Sequence, residues 1–358
     1  MTDAPEVIIR VEGGVGRLTL NRPDALHALT LSMCHAMTKA LLAWQDDPAV
    51  RLVMLDHSTG RGFCAGGDVR FLYDSLKAGD GQAIRFFHDE YQLDHLLFAY
   101  KKPTIVFMDG LVMGGGSGIA MPCRYRLATE RTVFAMPETG IGLFPDVGAS
   151  RFLPRLPGGA GMWMALTGAR AKAADCLLFG LATDFVHAED LERLKTAILA
   201  DPDKVETLLT EVEADEGRPD FAAVEDRVDR TFCGDRVENI LIRLEEEGEW
   251  GAKQIAAIRS KSPLLTKIAF RELREGAHKI AFADNMAMEF RMVSRVIMTH
   301  DFTEGVRAVI VDKDNDPRWS PPTLEAVTPE LVEAVFAPLP PDREWKPLPQ
   351  ARETGLHA

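Results

Sequence analysis

A chain of 358 residues that is 46% hydrophobic and 27% charged has room for one large or two modest globular domains, which excludes the disordered and fibrous classes. Its formal net charge of -13 excludes a general nucleic-acid binder, because phosphate neutralisation needs clustered Lys and Arg, although local basic patches leave acidic substrates open. The five cysteines (Cys34, Cys64, Cys123, Cys176, Cys233) are scattered, with no CxxC spacing, and point to free thiols in a reducing compartment rather than to disulfides or a metal cage.

The opening Met1–Val7 carries neither the basic start and apolar core of a signal peptide nor an Arg-rich amphipathic pattern, so a cytoplasmic location is expected. Val7 to Val11 and Val15 to Leu20, joined through Glu12-Gly13-Gly14, predict a β-hairpin. Leu31, Met33, Cys34, Met37, Leu41, Leu42 and Trp44 recur at helical spacing, and Leu52 to Leu55 follows as a short buried strand. Phe86, Phe87, Tyr91, Leu93, Leu97 and Phe98 suit a helix that ends before Pro103, after which Thr104 to Met108 is the next strand.

Gly110 and Gly114-Gly115-Gly116 then lead into a short apolar helix through Met121, and Tyr125 to Ala128 and Thr132 to Ala135 add two strands. The repetition implies an α/β fold of stacked strand-turn-helix units around one mixed sheet. Residues 201–234 read as an acidic insertion, solvated or in surface helices, and residues 235–335 as a helical region that completes the fold, with an amphipathic helix around Met286 to Met298. The tail over 336–358 is Pro-rich and is expected to be extended, wrapped on the body or loose, behind a catalytic core over 1–200. No apolar run reaches the roughly 20 residues that span a bilayer, so no membrane contact is expected.

Three segments could carry chemistry. Phe63-Cys64-Ala65-Gly66-Gly67-Asp68 and Met113-Gly114-Gly115-Gly116-Ser117-Gly118 each join a strand to a helix, and their small residues let backbone N–H groups approach a ligand. Together two such loops could hold a carbonyl oxygen as it becomes anionic; separately, each could simply permit tight strand-to-helix packing. In Phe134 to Gly148, Glu138 and Asp146 are embedded among apolar, Gly and Pro residues, where a carboxyl's charged form is disfavoured and its pKa moves toward acid–base work. A turn cap for Glu138 and a helix N-cap for Asp146 are the structural alternatives. The nine histidines include no HxxxH or HExxH pair, which favours packing over metal binding, and Cys64 has no local His or Asn to activate it.

Phe63-Cys64-Ala65-Gly66-Gly67-Asp68, Met113-Gly114-Gly115-Gly116 and Met136-Pro137-Glu138 together resemble the crotonase superfamily of acyl-CoA enzymes, over about residues 6 to 335. The resemblance implies the crotonase fold of stacked ββα units with a helical C-terminal region, an oxyanion hole from the backbone N–H groups of Gly67 and Gly115, and a catalytic Glu138. Asn21-Arg22-Pro23 looks like that family's entry to the CoA-binding region, which assigns Arg22, Ala65, Gly66 and Asp68 to it. Hydratases of the family carry a second Glu where this chain has Gly118, whereas Phe144-Pro145-Asp146-Val147-Gly148 and His88-Asp89-Glu90-Tyr91 are similar to the 3-hydroxyisobutyryl-CoA hydrolases. Two C-terminal segments, His300 to Ala308 and Asp312 to Trp319, are similar to that subgroup as well.

The expected reaction is therefore hydrolysis of a short 3-hydroxyacyl-CoA, as in valine degradation. Glu138 would act as nucleophile or general base, Asp146 would orient the substrate hydroxyl or the water, and Glu90 would help to recognise that hydroxyl. No metal or other cofactor is implied, since CoA enters with the substrate, and a homo-oligomer is compatible. An enoyl-CoA isomerase or hydratase is the alternative enzyme, and a non-catalytic acyl-CoA-binding scaffold the alternative of another class. His27 stands where the family usually has Asn.

Overall fold

A computed structural model describes residues 4–212, 214–351 and 353. Strands β1 (Val7–Glu12) and β2 (Val15–Leu20) form the expected antiparallel hairpin, whose turn places Gly13 and Gly14 at φ 59° and 88°, values that glycine adopts without a Cβ penalty. Helix α1 (Leu31–Gln45) begins where the Thr30 hydroxyl accepts the Met33 N–H, and buries Met33, Cys34, Met37, Leu41 and Trp44 at helical spacing. Next come β3 (Leu52–His57), β4 (Gly62–Cys64), α2 (Val69–Ala78) and α3 (Gln82–Phe98). Then β5 (Thr104–Met108), β6 (Leu111–Met113) and α4 (Gly115–Ala120) repeat the pattern, followed by β7 (Tyr125–Ala128) and β8 (Val133–Ala135).

The single mixed sheet predicted from the sequence is corrected to two. One has the order β1-β2-β3-β5-β7-β10, with β10 at Asp184–Phe185, and is parallel apart from the hairpin; the other has the order β4-β6-β8-β9, with β9 at Arg170–Lys172. In each ββα unit a long strand enters the first sheet and a three-residue strand enters the second. Gly110 shows why the chain can turn so sharply between them, since it sits at φ 91° and a Cβ there would collide with the Arg61 carbonyl. Both Gly-rich loops follow strands of the second sheet, which brings them side by side.

Alternation along the first sheet separates two apolar layers. Leu52, Met54, Ile105 and Phe107 face Leu194, Ile198, Val205 and Leu209, while Val53, Leu55, Val106 and Met108 face the main core. The acidic segment after residue 200 contains the helices Val205–Val212 and Glu225–Phe232, the first burying Val205, Leu209 and Val212 under the sheet and the second placing Val228 and Phe232 in the main core.

In the C-terminal region the helix Pro263–Gly276 starts with the Ser262 hydroxyl accepting the Leu265 N–H, and the amphipathic helix spans Phe282–Val296. The tail is wrapped on the body as far as it is described. Trp345 is buried with its indole N–H donating to the His88 carbonyl, and the Glu353 carboxylate accepts the Phe282 and Ala283 N–H groups and meets His95 Nε2 at 3.0 Å. Residues 352 and 354–358 of the Pro-rich tail lie outside the described residues, as do 1–3 at the N-terminus. Among the described residues no helix is long and apolar enough to cross a membrane.

Candidate active site

The two Gly-rich loops meet. A Cβ on Gly66 would lie 3.7 Å from the Gly115 nitrogen, and a Cβ on Gly116 would strike the Cys64 carbonyl, so only glycines permit this approach. Neither the Gly67 nor the Gly115 N–H donates to another described group, and Gly115 opens α4, where the first N–H groups have no partner within the helix. The loops therefore present two unengaged donors, as an oxyanion hole requires.

Carboxyls line the space before those donors. A Cβ at Gly114 would come 3.2 Å from Glu138 Oε1, and Glu90 Oε1 is 4.0 Å from the Cβ position of Gly67 and crowds that of Gly115. Glu138 starts a short 3-10 turn, Glu138–Ile141, and is 5% exposed with Oε2 unpartnered, so a capping role does not account for it. The N-cap alternative for Asp146 is also corrected. The next helix, α5 (Ala149–Phe152), is preceded by Gly148 without a side-chain cap, and the Asp146 carboxylate instead accepts the Tyr91 phenol at 2.8 Å.

Asp146 is turned inward by a left-handed pair, Val147 at φ 54° and Gly148 at φ 91°. A β-branched residue in that region is strained and needs outside support. Glu289 supplies it from the helix Phe282–Val296, accepting the Gly148 N–H at 2.7 Å, the Ser150 N–H at 3.1 Å and the Ser150 hydroxyl.

Burial dominates the electrostatics. It pushes the Asp146 carboxyl up to about 7, with the Tyr91 phenol and the Asp146 N–H pulling back. Burial and then the charge of Asp146 hold Glu138 well above the ordinary carboxylate range, opposed by the Lys261 cation, and the same two causes raise Glu90. Glu289 is pushed up to about 8 by burial against its three hydrogen bonds. Like charges this close disfavour one another's ionised forms, so the cluster holds protons above the ordinary carboxylate range.

The residues assigned to the CoA-binding region are interlocked rather than free. Arg22 pairs with Asp68 at 3.0 Å and with Glu6 at 3.1 Å and donates to the Ala28 carbonyl, while the Ala65 N–H donates to the Leu26 carbonyl and the Leu29 N–H to the Gly66 carbonyl. Asp68 also caps α2 through the Phe71 N–H. His27, fully buried, accepts the Arg22 N–H on Nδ1 at 3.0 Å and lies 2.7 Å from the Thr59 carbonyl on Nε2, which fixes the neutral tautomer with its proton on Nε2. These contacts clamp the 21–29 segment onto the loop that presents Gly67. Cys64 is buried with its thiol pushed up to about 12 by burial, which removes it as a nucleophile.

Glu138, Asp146, Glu90, Gly67 and Gly115 are thus brought together. Missing from the sequence reading were Tyr91 as the partner of Asp146, Glu289 as its support, Lys261 beside Glu138, and two further buried carboxyls, Asp94 and Glu272. The signal for Asp94 was its place one turn beyond Glu90 on the apolar face of α3, and for Glu289 its place among Met286, Met288 and Phe290. A cavity of about 820 Å³ lies elsewhere, lined by His88, Asp89, Phe290 and Arg343 but by none of the carboxyls above. The chemistry defines the site better than the cavity does, because Glu138, Asp146 and Glu90 are all at most 5% exposed.

A profile of the enoyl-CoA hydratase/isomerase family matches residues 15–336. Among curated proteins, the chain is 42% identical to the mitochondrial 3-hydroxyisobutyryl-CoA hydrolase of Gallus gallus, covering 94% of this chain and 90% of that protein. It is 40% identical to the same-named protein of Homo sapiens, covering 94% and 89%. Among solved structures, a carnitinyl-CoA dehydratase from Mycobacterium thermoresistibile superposes with a TM-score of 0.91 at 38% identity, covering 96% of this chain and 99% of that one.

Proposed function

The chain belongs to the enoyl-CoA hydratase/isomerase family, and from that premise we propose that it hydrolyses a short 3-hydroxyacyl-CoA, foremost 3-hydroxyisobutyryl-CoA, to the free hydroxy acid and CoA. The observation that carries the reading is that the loops holding two unengaged backbone donors, Gly67 and Gly115, adjoin Glu138, whose Oε2 is unpartnered. Hydration across a double bond needs one group to activate water and another to protonate carbon. Position 118, the second acid's place in hydratases, has no side chain here. The sequence relatives named as hydrolases support the same choice.

In this mechanism the thioester carbonyl oxygen accepts the Gly67 and Gly115 N–H groups, each contributing on the order of 3 kcal/mol as the oxygen becomes anionic. An ionised Glu138 then follows one of two routes. Its oxygen bonds to the thioester carbon as the C–S bond breaks and CoA leaves as thiolate, and water splits the resulting anhydride into the acid and the regenerated carboxylate, with the water's other proton going to the thiolate. Alternatively it takes a proton from the attacking water and passes it to the departing thiolate. Asp146, held by Tyr91, orients the water or the substrate hydroxyl, and Glu90 helps to recognise that hydroxyl. The Lys261 cation favours the ionised form of Glu138. No cofactor takes part, since polarising the carbonyl and supplying a nucleophile suffice. A cytoplasmic location belongs to this proposal and is checked by fractionating cells that express the full chain; the relatives named above are described as mitochondrial.

Thiol release from 3-hydroxyisobutyryl-CoA tests the assignment of residues. Glu138→Gln, which keeps the shape and removes the charge, is expected to lower kcat at least about a hundredfold, and Asp146→Asn about tenfold or more. Unchanged turnover in Glu138→Gln removes it from the mechanism.

A further inference from the structure

Asp94 lies one helical turn beyond Glu90 on α3, wholly buried, with neither carboxyl oxygen partnered. Other buried carboxyls of this core are answered by the protein: Glu289 by the Gly148 and Ser150 N–H groups, Asp56 by Thr19 and Arg17, Asp301 by Ser262 and the Ser320 N–H. Buried polar groups that are only structural are hydrogen-bonded as a rule, so an unanswered pair of oxygens points to a partner from outside the protein. Glu272 is equally bare, but it is not among the nearest neighbours of any glycine in the two catalytic loops.

Asp94 is such a neighbour. A Cβ on Gly118 would stand 2.8 Å and 2.9 Å from its two oxygens and 2.7 Å from Val147 Cβ. The carboxyl therefore occupies the flank of α4, the helix whose first residue presents the Gly115 N–H, and it adjoins the turn that carries Asp146. It enters from α3, the helix that also delivers Glu90, rather than from α4. Burial, followed by the charges of Glu90, Asp146 and Glu289, holds Asp94 protonated well above the usual range. A neutral carboxyl offers one O–H donor and one carbonyl acceptor, the complement of an alcohol, which is itself a donor and an acceptor.

We propose that Asp94 is a specificity-determining residue that receives the 3-hydroxyl of the substrate's acyl group, in concert with Glu90. This rests on the hydroxyacyl thioester reading above and deepens it. A site built to hydrogen-bond a hydroxyl rejects the analogue that lacks it, because its own polar groups are then left unpaired. Asp94 thus supplies the discrimination between hydroxyacyl and plain acyl esters, while the oxyanion donors and Glu138 act on the thioester itself.

The probes are the ketone analogues of 3-hydroxyisobutyryl-CoA and isobutyryl-CoA, with methylene in place of the thioester sulfur so that neither is consumed. They are titrated calorimetrically into the full-length protein and its Asp94→Ala and Asp94→Asn variants. The unaltered protein is expected to prefer the hydroxyl analogue by about a hundredfold or more. Asp94→Ala is expected to cut that preference by about tenfold or more, and Asp94→Asn, which keeps a donor and an acceptor, to hold it within about threefold. Asp94→Leu, an apolar side chain of like shape, gives the same readout should the alanine variant fail to fold. A preference in Asp94→Ala within about twofold of the unaltered protein overturns the role of Asp94 and leaves the hydrolase reading standing. Equal binding of both analogues by the unaltered protein overturns the hydroxyacyl reading and the role of Asp94 together.

Discussion

Glu138 and Asp146 are both buried, yet they differ in what they touch. Asp146 accepts a phenol and sits on a buttressed turn, whereas Glu138 keeps Oε2 unpartnered and brings Oε1 against Gly114 of the second glycine loop. That division matches one group that orients and one that reacts. Both were legible in the sequence, because a carboxylate inside an apolar stretch punctuated by Gly and Pro has no solvated face to occupy. Asp94, Glu272 and Glu289 were not, because single acidic residues within amphipathic helices look the same whether the helix face is wet or dry. His27 was visible as a departure from its family, but its work shows only in the fold: it holds the 21–29 segment at the Thr59 carbonyl. His27→Ala is expected to loosen the loop that presents Gly67 and to lower kcat/KM for the hydroxyacyl ester by about tenfold, with the fold retained by circular dichroism. Unaltered kinetics would mean that the loop holds its geometry without the imidazole.

At the scale of elements, strand and helix periodicities located β1, β2, α1, β3, α3 and β5 closely. They could not say which strands pair, so the division into two sheets was hidden. That division rests on Gly110 and on three-residue strands too short to show any period. The junction of α3 with α4 is where element packing meets chemistry. Restoring an acid at position 118 does not recreate a hydratase, because the first carbon of the new side chain meets Val147 and Asp94. Gly118→Glu is expected to lose thiol release by about a hundredfold or more and to gain no hydration of crotonyl-CoA, followed by the enoyl absorbance. Efficient hydration by that variant would show that α3 and α4 part more readily than their packing implies.

For the whole molecule, the acid cluster sets a pH dependence. Glu272 is fully buried with both oxygens bare, and burial followed by the charges of Glu289, Asp146 and Glu138 raises it well above its unfolded value. A carboxyl whose folded pKa is raised contributes stability that is fully present below the unfolded pKa, near 4, and is lost as pH rises toward the folded one. Glu304, drawn down to about 2 chiefly by its hydrogen bonds to Arg307, has the opposite sign and loses its contribution as pH falls through that value. Stability is therefore expected to be greatest in mildly acid solution. Glu272→Gln should be more stable than the unaltered chain at pH 8 by at least about 1 kcal/mol and nearly equal at pH 4, measured by urea unfolding at both. A variant less stable at pH 8 would mean that Glu272 is ionised and paired.

The fold ties these scales together, since two glycine loops from successive units, a buttressed acid turn and one helix of paired carboxyls meet where a thioester can be polarised and attacked. The measurement that bears most directly on this is turnover of 3-hydroxyisobutyryl-CoA, 3-hydroxypropionyl-CoA and crotonyl-CoA side by side, following free thiol and enoyl absorbance together. Thiol release from the two hydroxyacyl esters, with crotonyl-CoA left intact, is the predicted result. Loss of crotonyl absorbance without thiol release from any ester would contradict it and make the enzyme a hydratase.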